Sequence, residues 1–252
     1  MEQLYPGQNL YNYVHLYEIT GDIDVCRLQL AFKNVIGRHE ILKSTYHMVD
    51  GAPVQKVRDD LQVEWIDVRS SIETPDNIAT RDDHKANFIN RGFNLQNELP
   101  IRFLFIELAE GHYELLIALH HIAGDAWSLN IINQEVTAYY RNSTPIGQAP
   151  LHFQYQDYSY WQNQNVHSID DLNYWKSKLT NETPTIEVLQ SRPGAQQIFS
   201  GKHDVFTLPN ELSTKLKSLA SELNMTTFTL LLAAFKVLLY KYSGHKLSLI
   251  HI

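Results

Sequence analysis

The nine residues His120-His121-Ile122-Ala123-Gly124-Asp125-Ala126-Trp127-Ser128 constrain this chain more than any other stretch. Ahead of them Tyr113 to Leu119 is an apolar run of strand length, and behind them Ile131, Ile132, Val136, Tyr139 and Tyr140 recur at helical spacing. The two histidines therefore sit where a buried strand ends. A loop leaving a sheet presents polar groups from a rigid base. Gly124 is expected to let the backbone bend sharply between the imidazoles and Asp125. Neighbouring strand residues point to opposite faces, so one imidazole is expected to share a cleft with Asp125 while the other turns inward. Two other readings stand beside this one. Paired histidines at a strand end can be satisfied structural groups. His120, His121 and Asp125 are also metal-ligand types, but no third ligand is spaced to complete a site around one imidazole and Asp125, so no metal is expected.

At 252 residues and 44% hydrophobic content, the chain can build one large domain or two modest ones. A net charge of −7 with no basic block argues against nucleic acid as a partner. The single cysteine, Cys26, lies in an apolar helical pattern and cannot form an internal disulfide, which fits a reducing compartment. There is no signal-peptide pattern at the start and no window approaching a membrane span, so the expected location is cytoplasmic, with no membrane partner.

Residues 1–10 are turn-rich, and Asn12 to Ile19 reads as a strand. Val25, Leu28, Phe32, Val35 and Ile36 share a helical face, with Asp22 or Asp24 as the cap. That helix is expected to run into Arg38-His39-Glu40-Ile41-Leu42-Lys43-Ser44, where charged residues usually mark a solvated face. Asp50-Gly51 predicts a hairpin turn between Lys43–Val49 and Val54–Val57. Gln62 to Val68 reads as a strand, Asp76 to Arg91 as a surface helix, and Ile101–Leu108 pairs with Tyr113–Leu119 as antiparallel neighbours.

A helix from near Ser128 to Asn142 leads to a turn-rich connector, Ser143–Pro150. Tyr155, Tyr158 and Trp161 fall three apart on one helical side, a stripe expected to be core. A short helix, Asp170–Leu179, precedes a loop-like boundary at Thr183–Ser200. Beyond it a strand, Lys202–Leu208, leads to a helix with Pro209 as first residue and Asn224 at its end. Thr226 or Thr227 caps a final helix, apolar almost all round and so expected to be buried, which Gly244 ends.

These stretches resemble the condensation domains of nonribosomal peptide synthetases, a branch of the chloramphenicol-acetyltransferase-like acyltransferases. His120-His121 through Asp125-Ala126-Trp127-Ser128 resembles the family's His-His-x-x-x-Asp-Gly-Trp-Ser signature. Arg38-His39-Glu40-Ile41-Leu42-Lys43 resembles Arg-His-Glu-x-Leu-Arg, and Tyr155-Gln156-Asp157-Tyr158 to Trp161 resembles Tyr-x-Asp-Phe/Tyr-x-x-Trp. Arg192-Pro193, Leu208-Pro209 and Tyr242-Ser243-Gly244 also fall where the family has similar residues. The chain departs from the pattern with lysine at 43 for arginine and alanine at 126 for glycine.

The resemblance implies an α/β fold of two lobes: an N-terminal lobe over residues 1–168 carrying the histidine loop, nearly complete, and the start of a C-terminal lobe over 169–246. The last six residues, Leu247 to Ile252, do not continue the family pattern and match a sequencing adaptor read in frame, so a non-native tail is expected. The family's first motif is missing upstream of Met1, and truncation at both ends is expected.

The implied chemistry is amide-bond formation. An acyl or peptidyl thioester on one carrier protein's phosphopantetheine passes to the amine of an aminoacyl thioester on a second carrier. Trp127 resembles the type that joins two L-configured residues. The implied partners are upstream and downstream peptidyl carrier proteins and neighbouring synthetase domains, with no cofactor bound by this chain. His121 is expected to position the amine and accept a proton, and Asp125 to organise the loop, in the family through an arginine. His120, Ala126, Trp127 and Ser128 are expected to support the site, with the backbone N–H near Ala126 an oxyanion donor. Arg38, His39, Glu40, Tyr155, Asp157 and Trp161 are expected to be structural. The alternatives are a coenzyme A-dependent acyltransferase of the same superfamily and a catalytically silent carrier-binding module.

Overall fold

The computed structural model describes residues 9–69, 75–141, 151–165, 169–179 and 206–244. The chain divides into two compact units, Met1–Gln164 and Asn165–Ile252. The turn-rich start, the Ser143–Pro150 connector, the Thr183–Ser200 boundary, Arg192-Pro193 and the Leu247–Ile252 tail lie outside the described residues, wholly or, for the start, up to residue 8.

The first unit is built on a four-stranded mixed sheet. Strands β1 (Asn12–Thr20), β4 (Glu64–Arg69), β5 (Ile101–Ala109) and β6 (His112–His120) lie in the order β1-β6-β5-β4. β6 pairs antiparallel with β1 and β5, and β5 pairs parallel with β4. Residue parity then decides which face each side chain covers. Phe103, Phe105, Leu115, Ile117 and Leu119 meet helices α1 (Val25–Arg38) and α3 (Ala126–Arg141) through Leu28, Phe32, Val35, Leu129, Ile132 and Val136. Leu104, Ile106, Leu116 and Ala118 face the other way, onto Phe88 of helix α2 (Pro75–Asn90), Phe93 and Leu95. With both faces covered, β5 and β6 read as continuous apolar runs rather than as alternating ones.

Asp24 caps α1 by accepting from the Arg27 N–H at 3.0 Å, which decides between the two candidate caps. Cys26 is exposed on that helix. The helix stops at Arg38, so it does not run on through Lys43: His39 is extended, and Glu40–Lys43 forms a separate 3-10 turn. The hairpin is as expected, with β2 (Ser44–Val49) and β3 (Ala52–Val57) joined by Asp50 at φ 51° and Gly51 at φ 79°. Two positive φ values in succession give the twist that a two-residue hairpin loop needs.

Arg102, fully buried in β5, carried no signal in the sequence. Its guanidinium donates to the carbonyls of Phe88, Gly92 and Arg91 and lies 4.0 Å from the Phe93 ring centre. Burial, then the neighbouring Arg91 charge, pushes its pKa down to about 10. Carbonyls and an aromatic face take over from water here, which is how a buried cation becomes tolerable.

Helix α4 (Tyr155–Asn165) closes the first unit. Its stripe is real, with Tyr155–Tyr158 and Tyr158–Trp161 ring centres 5.7 and 5.8 Å apart. It is not core, however, because all three rings are about half exposed.

The second unit holds α5 (Ile169–Lys178), α6 (Asn210–Glu222) and α7 (Thr227–Ser243). Pro209 precedes α6 rather than opening it. The described end of the expected strand, Phe206–Leu208, is not extended into a sheet, and Lys202–Val205 lies outside the described residues. Thr226 caps α7 by accepting from the Thr229 N–H at 3.1 Å, and Gly244 ends it at φ 71°. The expectation that α7 is buried fails, since among its residues only Leu239 is buried. Among the described residues no single helix is long and apolar enough to cross a membrane; α6 and α7 pass such a test only as a pair bent by 101°.

Candidate active site

The parity of β6 carries into the loop that follows it. His120, an even position, turns to the α2 face and is buried. Its backbone N–H donates to the Pro100 carbonyl at 2.8 Å, and its ring lies edge-on to Phe93. Its Nδ1 accepts from the Ile122 N–H at 3.1 Å, which fixes that nitrogen as unprotonated. His121 takes the opposite parity. Its backbone N–H donates to the Tyr11 carbonyl at 2.8 Å, and its side chain is exposed.

His121 lines a cleft of about 460 Å³ together with His39, Ile41, Asp125, Ser128 and Tyr155, among others. The expectation of one imidazole in the cleft and one turned inward is met. Among the described residues no group of three or more His, Cys, Asp and Glu side chains is placed to hold a metal ion.

Gly124 works by packing rather than by backbone freedom. Its φ is not positive, but a Cβ there would lie 2.8 Å from Leu119 Cδ2 and 2.9 Å from Ser128 Cβ. The loop crosses the start of α3 too closely for any side chain. Asp125 then caps α3. Its Oδ1 accepts from the Ser128 N–H and from the Ser128 hydroxyl, both at 2.9 Å, and its own N–H donates to Ser128 Oγ at 3.1 Å. This reciprocal pair fixes the loop at the helix entrance. The Ser128 backbone and hydroxyl hydrogen bonds hold the Asp125 carboxyl below the usual carboxylate range. Ser128, not an arginine, is the partner of Asp125 among the described residues.

Ala126 is the first residue of α3 and has no positive φ, so alanine fits where glycine was expected. Its N–H is one of the four that a helix start leaves without an intrahelical carbonyl. Trp127 is 74% exposed.

The Arg38-His39-Glu40 segment is not a solvated face. Arg38 Nε and His39 Nε2 reach the two carboxylate oxygens of Glu135 on α3, at 3.2 and 2.8 Å. Gln154 joins this segment to α4 by donating to the Arg38 carbonyl at 3.0 Å and accepting from the Glu40 N–H at 3.1 Å. Gln156 donates to Glu40 Oε2 at 3.0 Å, and Asp157 reaches back to the Gln154 N–H at 2.8 Å. The three expected motifs are thus tied together: the histidine loop and the Arg-His-Glu segment through α3, and that segment to the Tyr-x-Asp segment through Gln154. Trp161 is not among the residues lining the cleft.

Sequence reasoning missed Glu135 and Gln154. The signal for Glu135 was its position seven residues after Ser128, which puts the two on one side of α3. Gln154 carried no comparable signal, being the polar residue just ahead of a helix.

The chain matches the family described as Condensation domain over residues 1–252. It is 33% identical to the linear gramicidin synthase of Brevibacillus parabrevis, over 98% of this chain and 5% of that protein. It is 32% identical to gramicidin S synthase 2 of Aneurinibacillus migulanus, over 94% of this chain and 5% of that protein. The chain thus spans about a twentieth of the length of these relatives.

The cyclization-docking bidomain of the EpoB synthetase from Sorangium cellulosum matches the fold with a TM-score of 0.75 at 23% identity, over 93% of this chain and 47% of that one. A domain described as mediating chain release from the enacyloxin polyketide synthase matches with a TM-score of 0.70 at 23% identity, over 94% and 47%. The fold is the mixed α/β, chloramphenicol-acetyltransferase-like one that these domains share. By the family match and the identity to the gramicidin synthases, this chain belongs to the condensation-domain family of nonribosomal peptide synthetases.

Proposed function

We propose that this domain joins an acyl or peptidyl thioester to the amine of an aminoacyl thioester, both borne on phosphopantetheine arms of carrier proteins, in the cytoplasm and without a cofactor of its own. The observation that carries the reading is the cleft in which exposed His121 and capped Asp125 stand together while His120 is buried. His121 receives a hydrogen bond from the attacking amine and takes its proton as the tetrahedral intermediate forms. An ordinary imidazole pKa, about 6.5, suits that transfer, and an α-amine with a pKa near ~8 needs little help. Placing amine and thioester side by side then supplies much of the acceleration.

Asp125 acts by holding the loop, through Ser128, and its position as a cap leaves no need for it to act as base. The Ala126 N–H, at the positive end of α3, is the candidate donor to the oxyanion. The silent-module alternative rested on Ala126, and a non-positive φ there removes the reason for it. Trp127 supports joining of two L-configured residues. Upstream and downstream carrier proteins and neighbouring synthetase domains are the partners of this reading.

The test is a condensation assay with the synthetase module that contains this domain and two loaded carrier proteins, run in parallel with free acyl-coenzyme A and a free amine. Amide formation on the carriers is expected. Turnover with acyl-coenzyme A alone would instead make the domain a coenzyme A-dependent acyltransferase.

A further inference from the structure

His39 lines the same cleft as His121, yet the mechanism above gives it no task. Its Nε2 lies 2.8 Å from Glu135 Oε2, while Arg38 Nε holds the other oxygen of that carboxylate at 3.2 Å. All three side chains are largely buried, with 20%, 14% and 17% exposure for His39, Glu135 and Arg38. A carboxylate only accepts hydrogen bonds, so the neutral ring carries its proton on Nε2. That leaves the lone pair on Nδ1, which has no protein partner among the described residues.

Arg38 keeps the carboxylate charged and fixed, so the tautomer of His39 is set by groups behind the ring, away from the cleft. His121, Asp125 and Tyr155 are the titratable groups that share the cleft with it. A purely structural clamp between α1 and α3 needs only Arg38 and Glu135. It does not require an imidazole on the cleft wall.

We propose that His39 is a positioning residue of this site: held in its Nε2–H form by the Glu135–Arg38 pair, it uses Nδ1 to accept an N–H of the pantetheine-borne substrate opposite His121. The proposal rests on the cleft being the substrate site. The donor is either the α-amine of the aminoacyl group or an amide of the pantetheine arm, and two probes separate these sources.

The experiment is long-range nitrogen-15 correlation of the histidine side chains in the 252-residue chain, assigned with His39→Asn and His121→Asn. Spectra are recorded alone, with pantetheine, and with glycyl-aminopantetheine, in which an amide replaces the thioester. The expected result is an Nε2-protonated His39 at neutral pH whose Nδ1 signal moves on adding a probe. Movement with pantetheine identifies the arm, and movement only with the glycyl form identifies the amine. Glu135→Gln is expected to give a mixture of tautomers and to weaken probe binding roughly three- to ten-fold, the worth of one hydrogen bond, without moving the His121 signals.

A His39 ring protonated on Nδ1 or on both nitrogens at neutral pH overturns the proposal. So does a probe that moves the His121 signals and leaves His39 unchanged, an outcome that keeps the proposed function intact. If neither probe moves either histidine, the cleft is not the substrate site, and both readings fall. Should Glu135→Gln fail to fold, the spectra of the unsubstituted chain decide.

Discussion

Strand β5 and helix α7 are both strongly apolar, and their surroundings differ sharply. From Ile101 to Ile106 every residue of β5 is at most 1% exposed, whereas α7 buries Leu239 alone and leaves Phe228, Phe235 and Leu238 about half exposed or more. The strand has two faces, and each meets its own layer: α1 and α3 on one side, α2 and the Phe93–Leu95 turn on the other. A helix that is apolar all round needs cover on every side, and among the described residues α7 does not receive it. Apolar content thus records what an element can bury, while the neighbours decide what it does bury. The cleft is hung from the region where burial is complete, which is what keeps His121 and Asp125 in fixed places.

The largest effect should come from the sheet. Phe103 is fully buried and packs against Phe32 and Trp65 at ring-centre distances of 4.5 and 5.2 Å. Phe103→Ala should lower the unfolding free energy by about 3–5 kcal/mol, measured by urea titration, and a loss under ~1 kcal/mol would break the comparison. Gly124→Ala asks whether that tight packing reaches the loop. The new Cβ must push Leu119 or the start of α3, at a cost of about 1–3 kcal/mol.

On α7, Phe235→Ser should change stability by less than ~0.5 kcal/mol and reduce self-association in sedimentation, because it removes exposed apolar surface. The smallest effect is electrostatic. Asp125 has a folded-state pKa below its unfolded value, so its contribution is present above the ordinary carboxylate range, near pH ~4, and is lost as the pH falls through the lower folded value. Asp125→Asn should therefore flatten the acid limb of stability against pH, with little dependence on salt-screened distant charges.

Much of the first unit was legible because its elements carry their own signals. Asp50-Gly51 gave the hairpin, strand parity separated His120 from His121, and Asp24 and Thr226 were candidate caps on the spacing alone. What was not legible depended on distant neighbours. The Tyr155–Tyr158–Trp161 ladder has the spacing of a core stripe, but spacing cannot say whether anything covers it. Gly124 looked like a bend because glycine permits one, whereas its reason is the 2.8 Å approach of Leu119, a contact known only once the loop is folded. Arg38 and His39 looked solvated because their shared partner, Glu135, lies nearly a hundred residues away.

On this account the two adjacent histidines have separate tasks, His121 in the chemistry and His120 in the fold. The most direct measurement compares His121→Ala and His120→Ala in the synthetase module, reading both dipeptide formation on loaded carriers and thermal unfolding. The expected result is that His121→Ala loses all or most of the condensation activity with its melting temperature unchanged, whereas His120→Ala lowers the melting temperature by opening a cavity against Phe93. A folded His121→Ala module that condenses at the rate of the parent would contradict it.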